Sequence, residues 1–398
     1  MKILYVNSLF GENARGGAEK IVLYLANGMS ERGHDVTVLC LHNLRKPSVE
    51  VMKNFRVYRS PLKNLYWPFS NFVPSNIQKS IWHIIDSYNF ANIKIVRDFL
   101  QCNEFDIVHI HNISGFSASI IAILKKKSKV VLTIHDYYFA CFKSTMFKNL
   151  HNCERQCLSC KLITLPRKLS SQDLDLVIGV SNFVIDRLKT IGYFKNSTVR
   201  IVNNVLHESE FTEIADTYVN NEILKKIKQP FKVGFIGRIT EEKGFESVLR
   251  AIEYFKEYNM EFFIAGAGNL DLIEKITQMY SDKVRYLGFI ESKSFYKMID
   301  VILVPSLWHD PYPTVILEAI GNNVKIIGRD VGGIAEAIGS SAGSSLFRDD
   351  QSMLQELKDM YNKHQSIGVF PSGQAKRVLS LNDWLDLHES IYEKYSKK

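Results

Sequence analysis

The sequence predicts an α/β protein with two Rossmann-like domains, each built on a parallel β-sheet. Its 398 residues exceed what one hydrophobic core usually organises, so two domains are expected. The pattern of a buried strand, a glycine-containing loop and a helix begins twice, near residue 2 and near residue 231. Strands alternate with helices in both halves, which is typical of parallel sheets that bind ligands beyond the carboxyl ends of their strands. We therefore expect the sheets to face a cleft between the domains, and the site to lie there.

The first domain is predicted to span residues 1–205, with a cysteine-containing insertion at 141–160. A short buried strand at residues 2–6 leads through a loop into a helix from Ala18 to about Arg32, which carries one apolar stripe. Further strands are predicted at residues 35–40, 106–111, 130–134, 176–180 and 198–202.

The second domain is predicted to span residues 206–379. Its strands are expected at residues 231–237, 261–265, 284–287, 301–304 and 325–327. The polar, weakly periodic residues 203–230 are assigned to the linker between the domains. The amphipathic residues 380–398 are predicted to form a helix that packs back on the first domain, although packing in any core would explain its pattern equally well.

Composition limits the function classes without choosing one. The hydrophobic share of 46% and the charged share of 23% are ordinary for a soluble enzyme. No stretch approaches the roughly 18 apolar residues of a membrane span, and Asn7 interrupts the start too early for a signal peptide, so a cytoplasmic protein is expected. The formal charge of +8 suits a nucleotide diphosphate, an anionic lipid surface or nucleic acid. The aromatic residues 66–69, with others up to residue 90, would meet a lipid-linked acceptor or simply pack in loops.

Two pairs of charged residues point to a sugar nucleotide. Asp310 and Glu318 stand eight positions apart around a Pro-rich turn that opens a helix, where backbone amides can receive a phosphate. Arg238 and Lys243 stand five residues apart on a short loop after a strand, next to a helix start. Arg238 and Lys243 predict a phosphate clamp that needs no metal, while Glu318 can reach a sugar hydroxyl.

Four cysteines fall within twenty residues and form a separate candidate site. In a reducing compartment such a cluster is better explained by metal than by disulfides, but its spacing is looser than that of a zinc ribbon. A structural zinc and four unligated thiols both remain open. The candidate ligands are Cys141, Cys153, Cys157 and Cys160.

Several segments resemble the retaining glycosyltransferases of family 4. The segment from Asp310 to Glu318 is similar to the family's two carboxylates separated by seven residues, with Asp310 where Glu is usual. Gly-Arg followed by Lys-Gly, around Arg238 and Lys243, is similar to its diphosphate motif. The windows Thr-x-His-Asp at His135 and His-x-His-Asn at His111 also match.

The resemblance implies the GT-B architecture and a role for each matched residue. His135 would contact the donor sugar and His111 would support it. Glu318 would hold the ribose, while the catalytic set would also include Arg238, Lys243 and Asp310. The further substrate-binding positions would be Gly16 and Gly17 beside the phosphates and acceptor, Leu287 and Gly288 beside the base, and Pro313, Thr314 and Val315 at the distal phosphate.

The predicted function is retaining transfer of a sugar from a nucleotide diphosphate sugar to a saccharide or lipid-linked acceptor. By analogy with bacterial relatives, the pathway is expected to be surface polysaccharide synthesis, such as O-antigen or capsule, with peripheral contact at the inner face of the membrane left open. No cofactor is expected for catalysis, and no nucleic acid is expected as partner. The alternatives are a nucleotide-sugar epimerase of the same architecture and a zinc-dependent nucleic-acid-binding protein.

Overall fold

The protein is described from a computed structural model. The description covers residues 1–11, 16–70, 72–207, 210, 229–339, 341, 343–367 and 379–396. Most of the predicted linker, namely residues 208, 209 and 211–228, lies outside the described residues, as does part of the loop before Gly16.

The chain divides into two compact units. The first contains residues 1–146, 153–204 and 382–398, and the second contains residues 147–152 and 205–381. The assignment of residues 147–152 differs from the sequence-based division, which placed the whole insertion 141–160 in the first domain. The reason is a short hairpin, described below, that bonds to a loop of the second unit.

The first unit is built on an eight-stranded sheet. Its central strand is almost entirely apolar and buried, as expected for a strand covered on both faces of a parallel sheet. The strand order is β10-β9-β6-β5-β1-β2-β4-β3, and β3 alone pairs antiparallel. The strands of this sheet are β1 Lys2–Val6, β2 Asp35–His42, β3 Ser48–Met52, β4 Phe55–Pro61, β5 Ile107–Ile110, β6 Lys129–Ile134, β9 Leu176–Gly179 and β10 Thr198–Ile201. The strands β7 Phe147–Lys148 and β8 His151–Asn152 form a separate hairpin that belongs to the second unit.

Among the described residues of this unit, seven α-helices alternate with these strands, and an eighth near the C-terminus is given below. The first of them begins at the Gly16-Gly17 junction and buries its apolar stripe. The second begins with a capping box between Ser75 and Gln78. The helices are α1 Gly17–Glu31, α2 Asn76–Ser87, α3 Phe90–Gln101, α4 Ile121–Lys127, α5 Leu158–Ile163, α6 Leu165–Ser170 and α7 Asn182–Thr190.

The second unit is a six-stranded, wholly parallel sheet in the order β13-β12-β11-β14-β15-β16. This is the doubly wound arrangement in which the strand order reverses between β11 and β14, and ligands of such sheets bind at that reversal. The strands are β11 Phe231–Ile236, β12 Met260–Ala265, β13 Val284–Gly288, β14 Val301–Val304, β15 Lys325–Arg329 and β16 Ser345–Phe347. The helices are α8 Phe245–Tyr254, α9 Leu270–Met279, α10 Ser292–Tyr296, α11 Thr314–Gly321, α12 Ile334–Ile338 and α13 Asp350–Ile367.

The last helix, α14 at Leu381–Ser396, packs within the first unit. It buries Trp384, His388 and Tyr392, which recur every four residues and therefore share one face. The Tyr5 hydroxyl donates to the Tyr392 hydroxyl at 3.3 Å. Parallel sheets in both units confirm the predicted α/β class. Among the described helices, none is long and apolar enough to cross a bilayer.

Candidate active site

Loops at the carboxyl ends of the neighbouring strands β11 and β14 pack against each other in the second unit. The β11 loop runs into a 3-10 helix at Glu241–Lys243, and Gly244 then adopts a left-handed φ of 72° before α8 begins. A Cβ on Gly244 would lie 1.9 Å from the carbonyl oxygen of Pro305, in the loop after β14. The glycine is therefore required for the two loops to pack this closely.

Lys243 and Asp310 meet across these two loops. Lys243 Nζ lies 2.6 Å from Asp310 Oδ2, and the side chains are 22% and 9% exposed. Nζ also lies 5.2 Å from the ring centroid of Trp308. The ammonium thus keeps partial access to solvent while a carboxylate and an aromatic face hold its position.

Arg238, the other half of the predicted clamp, is placed differently. Its side chain is 60% exposed, and its guanidinium lies 3.1 Å from Glu242 on the same loop. The structure therefore brings Lys243 and Asp310 together but leaves Arg238 in an exposed pair with its own neighbour. An exposed pair of this kind contributes little to stability, so Arg238 can exchange its partner at small cost.

Glu318 lies on the helix that follows the Asp310 loop. It is 5% exposed, and the hydroxyl of Tyr296 donates to its Oε2 at 3.3 Å and to the carbonyl of Val315 at 2.9 Å. Burial, and then the charge of Glu318, raise the pKa of Tyr296 well above its usual range, so this hydroxyl stays protonated as a donor. Tyr296 carried no signal in the sequence.

The remaining predicted residues of this unit border the same sheet edge. Pro313 occupies the N-cap position of α11, and no side chain caps the amides that follow it at Thr314 and Val315. Leu287 and Gly288 end β13, where the Gly266 amide donates to the Gly288 carbonyl at 2.7 Å. Leu287 and Gly288 therefore lie at the carboxyl end of a strand, and residues 313–315 lie at the start of a helix. Parallel sheets bind ligands at both kinds of position.

In the first unit, His135 and His111 form a hydrogen-bonded pair. His135 Nε2 lies 2.9 Å from His111 Nδ1, and the rings stack at 5.2 Å. Burial lowers the pKa of His135 to about 4 and that of His111 well below its usual range, so both imidazoles are neutral. A neutral His135 can donate or accept a hydrogen bond to a sugar hydroxyl but cannot supply a positive charge.

Asp136, next to this pair, is a further candidate site residue that the sequence prediction did not select. It lines a small cavity together with His111, His135 and Tyr138, and its Oδ1 accepts from the Tyr138 amide at 2.7 Å. Burial raises the pKa of Asp136 to about 6. Its place in the Thr-x-His-Asp window was the signal that could have identified it.

Gly16 and Gly17 stand at the start of α1, as the sequence predicted. The carboxylate of Glu19, in the first turn of α1, accepts a hydrogen bond from the Gly16 amide. Burial of the Glu19 side chain raises its pKa, and this hydrogen bond lowers it in part. The chain thus supplies an anion of its own beside these amides. Any ligand phosphate would share this helix start with Glu19.

The four cysteines do not form the tetrahedral set that a structural zinc would need. The part of the chain that the structure describes contains no group of three or more His, Cys, Asp or Glu arranged to hold a metal. Cys141 and Cys160 are buried with their sulfurs 3.9 Å apart, while Cys157 begins α5 with its sulfur 3.2 Å from Ser159 Oγ. The thiol of Cys160 lowers the pKa of Cys141 to about 6. Cys153 stands after the hairpin, where its amide donates to the Met146 carbonyl, so the structure does not bring the four cysteines together as one set of zinc ligands.

The hairpin β7–β8 explains why part of the insertion belongs to the second unit. The side chain of Asn152 donates to the Leu307 carbonyl at 2.7 Å and accepts from the His309 amide at 2.8 Å. Asn152 therefore fixes the loop that carries Trp308 and Asp310. No sequence pattern marked it, because its partners lie more than 150 residues away.

Comparison with protein families identifies the family of the chain. Residues 15–209 match the model described as Glycosyltransferase Family 4, and residues 230–363 match the one described as Glycosyl transferases group 1. An uncharacterized 42.6 kDa protein in the cps region of Klebsiella pneumoniae is 29% identical over 337 residues, covering 84% of this chain and 87% of the relative. A putative teichuronic acid biosynthesis glycosyltransferase of Bacillus subtilis is 22% identical over 363 residues, covering 85% and 83%.

Solved structures share the fold along the whole chain. The sucrose-phosphate synthase of Thermosynechococcus elongatus superposes with a TM-score of 0.73 at 15% identity and covers 99% of this chain and 98% of that one. The Anabaena protein HepE, solved with UDP and glucose, superposes with a TM-score of 0.63 at 14% identity and covers 99% of each chain. At these identities the likeness concerns the fold.

Proposed function

Because this chain is a glycosyltransferase that belongs to family 4 and has the GT-B fold, we propose that it transfers a sugar from a nucleoside diphosphate sugar to a saccharide or lipid-linked acceptor with retention of configuration. The proposed pathway is surface polysaccharide synthesis, in keeping with relatives in a cps region and in teichuronic acid synthesis. The proposal rests on one arrangement: Lys243 and Asp310 paired at the reversal point of the second sheet, with Glu318 on the helix that follows.

The donor diphosphate would bind at the carboxyl edge of the second unit. Lys243, joined by Arg238, would offset the negative charge that grows on the diphosphate as the glycosidic bond lengthens. Asp310 acts as a positioning residue, because it already holds the Lys243 ammonium at 2.6 Å before any ligand arrives. The amides at Thr314 and Val315 would receive the distal phosphate.

The nucleoside would be anchored beside the phosphate site. Glu318 would accept hydrogen bonds from the ribose hydroxyls, with the Tyr296 hydroxyl holding Oε2 in place. Leu287 and Gly288, at the end of β13, would border the base. A carboxylate that binds a diol distinguishes a nucleotide from a simple phosphate, so Glu318 gives the site its preference for a sugar nucleotide.

The first unit would bind the acceptor and contact the transferred sugar. His135 would contact a hydroxyl of the sugar as a neutral imidazole oriented by His111. No protein nucleophile is invoked, since the departing phosphate oxygen can accept the proton of the attacking hydroxyl on the same face of the sugar. This front-face reaction accounts for retention.

Melting experiments with nucleotides test the donor half of the proposal. A ligand that binds only the native state raises the melting temperature, so one of UDP, GDP or ADP is expected to stabilise the protein, and Glu318→Gln should remove that shift. The matched control is Glu253→Gln, at an exposed carboxylate that pairs with Lys256 on α8 and its following turn. Equal stabilisation of both variants by the nucleotide would contradict the assigned role of Glu318.

Product analysis tests the reaction itself. With the stabilising donor, nucleotide release is expected to depend on an acceptor saccharide, and NMR of the product should show the donor's anomeric configuration retained. An epimerised donor without acceptor-dependent nucleotide release would replace the proposal with the epimerase alternative. An inverted product would leave transfer intact but overturn front-face attack.

A further inference from the structure

Exposed apolar side chains are concentrated in two segments of the first unit. Of 23 large apolar side chains that are exposed among the described residues, 13 fall within residues 65–90 and 158–169. These segments make up less than a tenth of the chain, so the clustering is far from an even scatter over the surface. Concentrated apolar surface on a folded protein marks a place that contacts something other than water.

Helix α2 has its apolar stripe on the outside. Ile77, Ile81 and Ile84 are 73%, 41% and 60% exposed, whereas Trp82 and Asp86 on the opposite side are buried. A surface helix normally turns its apolar stripe inward. Trp82, one of the aromatic residues predicted to meet lipid or to pack, packs in the core with its indole donating to the Tyr66 carbonyl.

Helices α5 and α6 continue this exposed face. Leu158 and Leu162 on α5 are 73% and 66% exposed, and Leu169 on α6 is 67% exposed. Both helices contact α2, and Arg167 of α6 forms an ion pair with Asp86 of α2 at 2.9 Å. We call the surface formed by Ile77, Ile81, Ile84, Leu158, Leu162 and Leu169 the apolar face.

The exposed charges within the two segments of the apolar face are positive, although the exposed Glu154 directly precedes the second segment. Within residues 62–90 and 155–170 the sequence contains a single carboxylate, Asp86, which is buried against Arg167. Lys63, Lys79, Arg155 and Lys161 in these segments are exposed. A surface that combines outward apolar residues with cations and exposes no carboxylate of its own fits the interface of an anionic bilayer, in which acyl chains lie below negative headgroups.

We propose that the apolar face is a docking surface for an anionic lipid bilayer. Ile77, Ile81, Leu158 and their neighbours enter the headgroup region, while Lys79 and Lys161 bind the anionic headgroups. A second copy of the chain fits less well, because two such faces would bring their cations together. This inference goes beyond the proposed transfer reaction and does not depend on the identity of donor or acceptor.

Vesicle co-sedimentation of the full chain tests the docking surface. The protein is expected to bind vesicles of phosphatidylcholine with phosphatidylglycerol much more strongly than phosphatidylcholine alone, with binding that weakens as salt is added. Ile77→Gln/Ile81→Gln/Ile84→Gln is expected to lower the partition coefficient at least about tenfold. Lys79→Gln/Lys161→Gln should lower it by about tenfold or more for the anionic vesicles only.

Matched controls use exposed residues elsewhere in the same unit. Val49→Gln/Val51→Gln changes two exposed side chains of β3, and Lys126→Gln/Lys127→Gln changes two exposed cations at the end of α4. Both are expected to bind vesicles like the wild type. All variants should keep the wild-type melting temperature and the transfer rate to a water-soluble acceptor, which separates failure of docking from failure of the proposed reaction.

Three results would overturn the proposal. They are no binding of the wild type to anionic vesicles, unchanged binding of the triple isoleucine variant, and a wild-type dimer in sedimentation velocity that the triple variant dissociates while vesicles remain unbound. The last result would assign the apolar face to self-association. Leu158→Gln/Leu162→Gln repeats the test on α5 should the α2 variant fold poorly.

Discussion

Two ion pairs, one in each unit, both join a basic side chain to an aspartate, but one is fully buried and the other is partly exposed. Arg167 and Asp86 in the first unit are 0% and 1% exposed at 2.9 Å, whereas Lys243 and Asp310 in the second are 22% and 9% exposed at 2.6 Å. The first pair is surrounded by its own chain, with Tyr138 under the guanidinium at 3.7 Å and the Gly115 amide on the carboxylate. The second keeps one side open to a ligand.

This difference indicates separate roles. Removing water from both charges, as at Arg167 and Asp86, makes a pair that is tolerated only when every partner is present. Such a pair fixes α2 and α6 and the residues beside His135. A partly exposed pair can exchange partners, because the diphosphate of the proposed donor would replace the solvent and share the ammonium with Asp310. Substitutions should therefore affect folding at the first pair and catalysis at the second.

The largest expected effect is at the buried pair. Arg167→Met should lower the free energy of unfolding by about 3 to 5 kcal/mol, because it leaves Asp86 buried without its cation. Chemical denaturation measures the change. Arg250→Met is the control, since Arg250 is 59% exposed in its pair with Asp350 and should lose no more than about 1 kcal/mol. Similar losses in both variants would remove the contrast between the pairs.

At the partly exposed pair, activity rather than stability should change. Lys243→Ala is expected to lower turnover by about a hundredfold to a thousandfold, because the charge on the leaving diphosphate loses its cation. The melting temperature should fall far less than in Arg167→Met, because Lys243 is 22% exposed and water can take the place of its ammonium beside Asp310. Lys256→Ala, which breaks a Lys–Glu pair of 2.8 Å outside the site, is the matched control and should retain turnover. Near-normal turnover of Lys243→Ala would refute the phosphate role.

The backbone glycine that lets the loops of Lys243 and Asp310 pack together should also be sensitive to substitution, and here the effect is on the free energy of unfolding. Gly244→Ala combines a left-handed φ of 72° with a Cβ placed 1.9 Å from the Pro305 carbonyl, and we expect a loss of roughly 3 kcal/mol. Gly33→Ala has a φ of 83° with no atom within 4 Å of the new Cβ and should lose only about 1 kcal/mol. Equal losses from both glycines in denaturant titrations would mean that close loop packing is unimportant.

The smallest expected effect is a pH dependence in the first unit. Burial lowers the pKa of His388 to about 4, below the unfolded value of about 6.5, so the unfolded chain binds more protons between these values. The stability that His388 contributes is present above pH 6.5 and is lost as the pH falls towards 4. The raised pKa of Asp136 acts in the opposite direction, so the effect of His388 must be isolated by substitution.

The difference in unfolding free energy between the wild type and His388→Gln isolates the pH-dependent contribution of His388. This difference should shrink by about 2 kcal/mol between about pH 7 and about pH 5, since the variant has no imidazole to protonate on unfolding. The same titration of His151→Gln, at an exposed histidine of β8, serves as control. A difference for His388→Gln that is constant with pH would show that this imidazole is not buried as a neutral group.

Much of the fold was predictable because its signals are local. The apolar runs of β1 and β11 and the stripe of α1 appear in the sequence with the period that each element requires. The division of the chain differs from the predicted one at the insertion, where residues 147–152 group with the second unit. Cysteine spacing could not reveal this, because the hairpin between Cys141 and Cys153 turns towards partners far along the chain.

The candidate site could be predicted only in part, because only some of its residues lie in local sequence motifs. Lys243 and Glu318 belong to short motifs at strand ends, so their neighbourhood follows from the order of strands and helices. Tyr296 and Asn152 belong to no motif, since each acts through two hydrogen bonds to a segment at least 19 residues away along the chain. Arg238 shares the motif of Lys243, yet its side chain pairs with Glu242.

The sequence by itself determined the alternation of strands and helices, the loops at their junctions and the residue types that suit a sugar nucleotide. Tertiary structure alone decided that Asp310 holds Lys243, that His135 is a neutral partner of His111, and that α2 turns its isoleucines outward. Periodicity and motif spacing are properties of neighbouring residues, whereas burial, pKa and pairing depend on which distant segments displace water from a side chain.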